Sequence, residues 1–352
     1  MDTLIRKWDG ESVIVRFDRS AEAWIFIAIH STRLGPAIGG TRMRSYADTK
    51  EALEDALRLA GGMTYKWAAA GMDAGGGKAV IAIPAELDPG ARVDLLRRYG
   101  SLIGEHKGLF LTGPDLGTSS ADMDIIAETG DPYVFARTPS AGGAGNPAPF
   151  TALGVLTSIQ AAGERVFGDS ALAGRTVLVQ GAGSVGRELI DLLRRAGSEV
   201  LFSDVSESTI RRFRDELGLP FVPPDEVYDA PCDVFAPCAV GGILNQGTIQ
   251  RLQCRVVVGA ANNQLARPED ADTLRDRGIL YGPDFISNSG GAIAIVGMET
   301  RGWSLEEARE RLVRSIKSNL SQVFDLSDAQ GISPDAAAGR LAETRLEGKP
   351  QD

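Results

Sequence analysis

"RTVLVQGAGSVGRELIDLLRRAGSEVLFSD" occupies residues 175–204, and the fold follows from how it divides. RTVLVQ (175–180) is an apolar run that reads as a buried strand. The sextet Gly181-x-Gly183-x-x-Gly186 follows it and opens a helix, VGRELIDLLRRAG; EVLFSD (199–204) is a second strand and ends on Asp204. A glycine sextet alone is a weak signal. Between a strand and a helix, with a carboxylate closing the next strand, each glycine acquires a task. The first permits a tight turn, the second lets backbone approach a pyrophosphate, and the third lets helix pack on strand. The helix N-terminus turns N–H groups and its positive dipole end toward the phosphates. Asp204 accepts hydrogen bonds from a ribose diol and repels a 2′-phosphate, so these residues predict NAD rather than NADP. Arg211 and Arg212, in the following helix, read as a solvated face.

Downstream, CDVFAP (232–237), CRVVVGAA (254–261) and GILYGP (278–283) are strands separated by helical stretches. Such alternation predicts a parallel sheet covered on both faces. Upstream, SVIVRF (12–17), WIFIAI (24–29), KAVIAI (78–83) and LFLT (109–112) read as strands. ADTKEALEDALRLAGG reads as a helix capped by Asp48 or Thr49, apolar along Leu53, Ala56, Leu57 and Ala60, and ended by Gly61-Gly62. The glycine-rich joint SAGGAGNPAP (140–149) separates the halves. The expected architecture is α/β: a substrate-binding catalytic domain (1–140) and a Rossmann-type doubly wound dinucleotide-binding domain (141–326), with the active site in the cleft between them. The C-terminal helices, about 327–352, are expected to pack back on the first domain.

At 352 residues the chain is too long for one ordinary core, and 43% apolar residues suit two globular ones. A net charge of −10 argues against nucleic acid and anionic membranes as partners. The three cysteines, Cys232, Cys238 and Cys254, have no CxxC spacing, so neither disulfides nor a metal site is expected. No apolar leader segment and no membrane-length apolar run occur, which predicts a soluble cytoplasmic protein.

A nicotinamide cofactor implies hydride transfer, so the first half should hold the substrate. It offers only two histidines, His30 and His106, neither beside a glycine-rich turn, which argues against a hydroxy-acid oxidation. Lys66, Lys78 and Asp115 stand out instead, in MTYK, AGGGK and LTGPD. Two lysines in one small enclosure lower each other's proton affinity, leaving one as a general base and the other to hold a carboxylate. The bland alternative is a pair of surface lysines flanking a glycine turn, with Asp115 as a turn or helix cap.

LGPAIGGTRM, GMTYKWAAAGMDAGGGKAVI, TGPDLGTSSADMDII, QGAGSVG, CDVFAPCAVGG, GAANNQLA and GILYGPDFISNSGGAI run in order along nearly the whole chain. Together they resemble the leucine/phenylalanine/valine branch of the Glu/Leu/Phe/Val dehydrogenase family. The resemblance implies reversible NAD-dependent oxidative deamination of an L-amino acid to a 2-oxo acid and ammonia, in a homo-oligomer built through the first domain. By the matching motifs it makes Lys78 the catalytic lysine, Asp115 its proton-exchanging partner and Lys66 the carboxylate-binding lysine. Asn262 reaches the substrate carboxylate and the nicotinamide ribose. Gly39, Gly40, Met63, Gly113, Ala292 and Ile295 become substrate-pocket positions. The cofactor is met by Thr151, Gly181, Ala182, Gly183, Ser184, Val185, Gly186, Asp204, Ala239, Ala260 and Asn262.

No charged residue stands at the wall positions Ile38, Gly39, Gly113, Ala292 and Ile295, so an apolar side chain is expected in the substrate. Gly113-Pro114 and GGAIAIVG look like phenylalanine-type members, and small residues at 113 and 292 should leave room for a ring. Trp67, Ser289 and Ala294 depart from the family pattern, and Trp67 in particular would narrow the cleft or shift Lys66. An alternative from another class is a NAD-binding regulatory or sensor protein with weak turnover; intact Lys66, Lys78 and Asp115 count against it.

Overall fold

The computed structural model describes residues 2–348. Residues 1 and 349–352, which the sequence reading assigns to the first domain, lie outside the described residues. The chain forms two compact units, giving a two-domain α/β fold. One comprises the chain up to Asn146, Ile295–Ser304 and the residues from Ala342; the other comprises Pro147–Ala294 and Leu305–Leu341. This differs from the expected division at both ends of the C-terminal region. The helix Leu305–Gln330 packs Ile316 against the Gly154 region of the helix Ala148–Phe167, so it stays with the second unit. Ile295–Ser304 joins the first, where Glu299 accepts the Ala144 N–H (2.8 Å) and Arg301 donates to the Asp73 carbonyl (2.8 Å).

The first unit is built on β1 (Ser12–Asp18), β2 (Ala23–Ser31), β3 (Ala37–Arg44), β4 (Gly75–Ala82) and β5 (Phe110–Pro114), in the order β1-β2-β4-β3-β5. β1 and β2, like β2 and β4, run antiparallel; β3 is parallel to both β4 and β5. Strand alternation gives the sheet two faces. One, with Ile25, Ile27, Ile29, Ala79 and Ile81, packs on Leu95, Tyr99 and Ile126 of the following helices; the other, with Phe26, Ala28 and Val80, packs on Leu53, Ala56, Leu57 and Ala60.

Two elements depart from the sequence reading. β3 was not anticipated, because Gly39-Gly40 lowers strand propensity. The helix expected to end at Gly61-Gly62 continues through them to Ala69. Buried packing overrides the glycine penalty there: Thr64 sits against Gly76, and Trp67 is 1% exposed.

The second unit carries β6 (Thr176–Gln180), β7 (Glu199–Ser203), β8 (Val234–Pro237), β9 (Val256–Val257) and β10 (Leu280–Tyr281), all parallel, in the order β10-β9-β8-β6-β7. This is the Rossmann-type parallel sheet. The chain leaves β6 for β7 on one side and then crosses to β8 on the other. Such a switch point opens a crevice at the carboxyl ends of the strands. Among the described residues, no helix is long and apolar enough to cross a membrane, and no group of three metal-ligating side chains converges.

Candidate active site

β3 and β4 pair with Ile38 opposite Gly76 and Thr41 opposite Ala79, so the same offset sets Gly40 opposite Lys78. β5 sets Gly113 opposite Gly40. Lys78, Gly40 and Gly113 therefore form a rank across three strands on one sheet face, the face covered by the helix Thr49–Ala69. The Lys78 side chain ends 3.3 Å from where a Cβ on Gly40 would lie. That same point is 2.7 Å from the Pro114 carbonyl oxygen and 2.9 Å from Asp115 Cβ, so only glycine fits. At Gly39 a Cβ would fall 1.8 Å from the Gly77 oxygen and 3.5 Å from Met63 Cγ. Both glycines are required by strand packing whatever the substrate.

Lys78 is 3% exposed and its ammonium is paired with Asp115 Oδ2. The other carboxylate oxygen accepts from Arg42 Nε (2.9 Å) and from the Leu116 N–H (2.6 Å). Arg42 continues to Asp55 (2.9 Å), which also accepts from Tyr46 (2.8 Å) and Arg58 (2.8 Å). Burial drives the Lys78 pKa down; Asp115 opposes the shift and the Arg42 charge adds to it. For Asp115, burial works upward, but Lys78 and then Arg42 outweigh it and hold the carboxyl down at about 2. Burial is thus the leading cause of the Lys78 shift, and Arg42, which the sequence reading did not name, is a cation that acts with it.

Lys66 is half-buried in the last turn of the helix Thr49–Ala69. Its neighbour Trp67 donates Nε1–H to the Ile38 carbonyl (2.9 Å), so the indole is a buried pin between helix and β3 and does not obstruct an opening. Arg345 donates to the Ala68 and Ala69 carbonyls (2.7 and 3.0 Å), satisfying the end of the same helix. His30 is engaged by Thr64 and Asp9, and His106 caps a helix.

Gly113 does not leave an open space. A Cβ there would fall 2.4 Å from Phe135 Cε2, because the Phe135 ring already fills that volume. Arg42, Asp55 and Phe135 are the residues the sequence reading missed. Arg42 was within reach of it: once β3 is a strand, position 42 shares its face with 40.

In the second unit, Gly181 has φ +94° and donates to the Ser203 carbonyl (2.7 Å); a Cβ on it would strike Ala239 across the crevice. Gly186 sits where a Cβ would meet the Gly181 oxygen at 1.9 Å. Gly183 is the N-cap of the helix Ser184–Arg195, has no side-chain cap and faces open space. Gly183 and Ser184 are exposed at this helix N-terminus, whose first N–H groups have no helical acceptor, so these residues fit a dinucleotide pyrophosphate. Asp204 accepts from the Ala182 and Ser206 N–H groups (both 2.8 Å), which fixes its carboxylate at the end of β7. Asn288 donates to Asn262 Oδ1 (2.7 Å) and to the Ala260 carbonyl (3.2 Å), and Asp284 accepts the Gln264 N–H (2.8 Å); both steady the loop bearing Asn262. Thr151 lies in the first turn of the helix Ala148–Phe167, its hydroxyl beside Gly291. Ala292 is half-buried, whereas Ala294 and Ile295 are buried on the same helix, Gly290–Arg301. Ser289 is buried and donates to the Ile286 carbonyl (2.6 Å).

Residues 18–131 match the model of the Glu/Leu/Phe/Val dehydrogenase dimerisation domain, and residues 203–349 match that of Glutamate/Leucine/Phenylalanine/Valine dehydrogenase. A leucine dehydrogenase of Thermoactinomyces intermedius is 42% identical over 97% of this chain and 92% of its own length. A valine dehydrogenase of Streptomyces virginiae is 40% identical over 96% of this chain and 93% of its own. Among solved structures, L-tryptophan dehydrogenase from Nostoc punctiforme superposes with a TM-score of 0.87 at 38% identity, covering 99% of both chains.

Proposed function

The chain belongs to the Glu/Leu/Phe/Val dehydrogenase family and is an amino-acid dehydrogenase; from that premise we propose that it oxidatively deaminates an apolar L-amino acid, reversibly, with NAD. The observation that carries the reading is the buried Lys78–Asp115–Arg42 cluster, in which one amine is pushed toward neutrality beside a carboxylate held anionic.

Lys66 is proposed to hold the substrate α-carboxylate, with Asn262 as a second contact. The turn Gly181–Gly186 and Asp204 would hold NAD, which would supply the acceptor for the Cα hydride, so that the substrate amine becomes an iminium. Neutral Lys78 takes a proton from water as its oxygen attacks that carbon. Lys78 then returns that proton to the nitrogen and takes the carbinolamine hydroxyl proton as ammonia leaves, so the 2-oxo acid remains and Lys78 ends protonated. Asp115, with a pKa of about 2, is a poor proton acceptor at neutral pH. Its main part is electrostatic: it favours the substrate's cationic nitrogen, and it exchanges protons there only in concert with Lys78.

Members of this family are dinucleotide-dependent. Asp204 at the end of β7 supports NAD over NADP, and Asp204→Ala should erode that preference in a comparison of kcat/KM for the two cofactors. The absence of charge at the wall positions supports an apolar substrate. The phenylalanine-type likeness, by contrast, loses one support, since Phe135 fills the space at Gly113. We take the protein to be cytoplasmic and a homo-oligomer joined through the residues that match the dimerisation domain, without nucleic-acid or membrane partners. The direct test is NADH formation with leucine, valine, phenylalanine, tryptophan and glutamate. Turnover on apolar members and none on glutamate is expected; no turnover on any of them, with NAD bound, would favour the sensor reading.

A further inference from the structure

We propose that Phe135 sets the upper size of the amino-acid side chain this enzyme accepts; the proposal rests on the dehydrogenase reading and names the residue that tunes it. Lys78 and Asp115 fix where the reacting carbon must lie, and Gly113 stands in the same rank on the same sheet face. Whatever packs on Gly113 is therefore a wall beside the reacting group. A Cβ at Gly113 would lie 2.4, 2.8 and 2.9 Å from Phe135 Cε2, Cζ and Cδ2, so the ring edge rests on the bare backbone there. The absence of a side chain at 113 admits Phe135 rather than a substrate ring.

The ring's root is fixed. The Phe135 N–H donates to the Thr112 carbonyl (2.9 Å), and the Thr112 N–H donates to the Tyr133 carbonyl (3.0 Å), so 133–135 runs as an extra bridge along β5. Val134 is buried, and Ala136 turns the chain at φ +57°. Phe135 itself is half-exposed. A rooted ring with one exposed surface makes a firm wall, and apolar walls discriminate by the volume they leave.

The test compares kcat/KM for leucine, phenylalanine and tryptophan in wild type, Phe135→Leu and Phe135→Ala, with melting temperature and the pH profile recorded for each. Removing the ring should raise the tryptophan-to-leucine ratio tenfold or more in Phe135→Ala, with Phe135→Leu between it and wild type. The pH profile should not move, because Lys78 and Asp115 are untouched. Should Phe135→Ala fail to fold, Phe135→Leu and Gly113→Ala, which displaces the ring, carry the same comparison. A ratio within twofold of wild type in folded variants, or an equal loss on every amino acid, overturns the proposal while leaving the dehydrogenase reading intact. A wild type inactive on every amino acid overturns that reading, and this inference with it.

Discussion

Lys78 and Asp115 share a salt bridge and both titrate below their ordinary values, and Arg42 contributes to both shifts. Lys78→Ala should lower kcat by ~10³-fold or more, as expected for loss of a general base; NAD affinity, read by fluorescence titration, should persist. Arg42→Gln removes a cation from beside Lys78, so the lysine holds its proton more tightly. The rise of kcat/KM with pH should then move to higher pH, while Arg42→Lys should largely restore it; a limb that stays in place would refute this role. The same cluster affects stability. Asp115 has a depressed folded pKa, so its contribution is complete above the ordinary carboxylate value near 3.8 and fades as pH falls toward about 2. Acid unfolding of an Asp115→Asn variant should therefore show a shallower loss of stability in that window.

β3 shows why part of the site was legible and part was not. Gly39-Gly40 reads as a loop in one dimension, because what demands glycine is the oxygen of Gly77 on the neighbouring strand. Gly39→Ala should cost more than ~3 kcal/mol or prevent folding, as overpacking against backbone does; urea titration measures it. The helix Thr49–Ala69 hid its length for a related reason, since Trp67 and Thr64 anchor it from across the fold. Trp67→Phe keeps the ring but strands the Ile38 carbonyl, an expected loss of about 1–2 kcal/mol. By contrast, the fingerprint around Gly181, the strands flanking it and Asp204 were readable, because their signals are local in sequence. Lys78 and Asp115 stood out by motif, whereas Arg42 and Phe135 act through neighbours distant along the chain, which no single stretch reveals.

For the whole molecule, charge and chain course matter more than any motif. In the second unit, burial together with the nearby Asp284 and Asp272 raises Asp335 to about 6. An acid with a raised folded pKa favours folding while it stays protonated, so its penalty grows as pH climbs from about 4 through 6. Asp335→Asn should raise the melting temperature at pH 7.5 by about 4 °C and leave it unchanged at pH 4; equal effects at both pH values would contradict this. The first unit, for its part, is assembled from separate stretches, and the guanidinium that finishes the Lys66 helix comes from Arg345, 277 residues along the chain from Ala68. On the ribosome, then, the unit begun first cannot be completed until the whole of the second has been synthesised, so a nascent chain would acquire the finished Lys66 helix only late in translation.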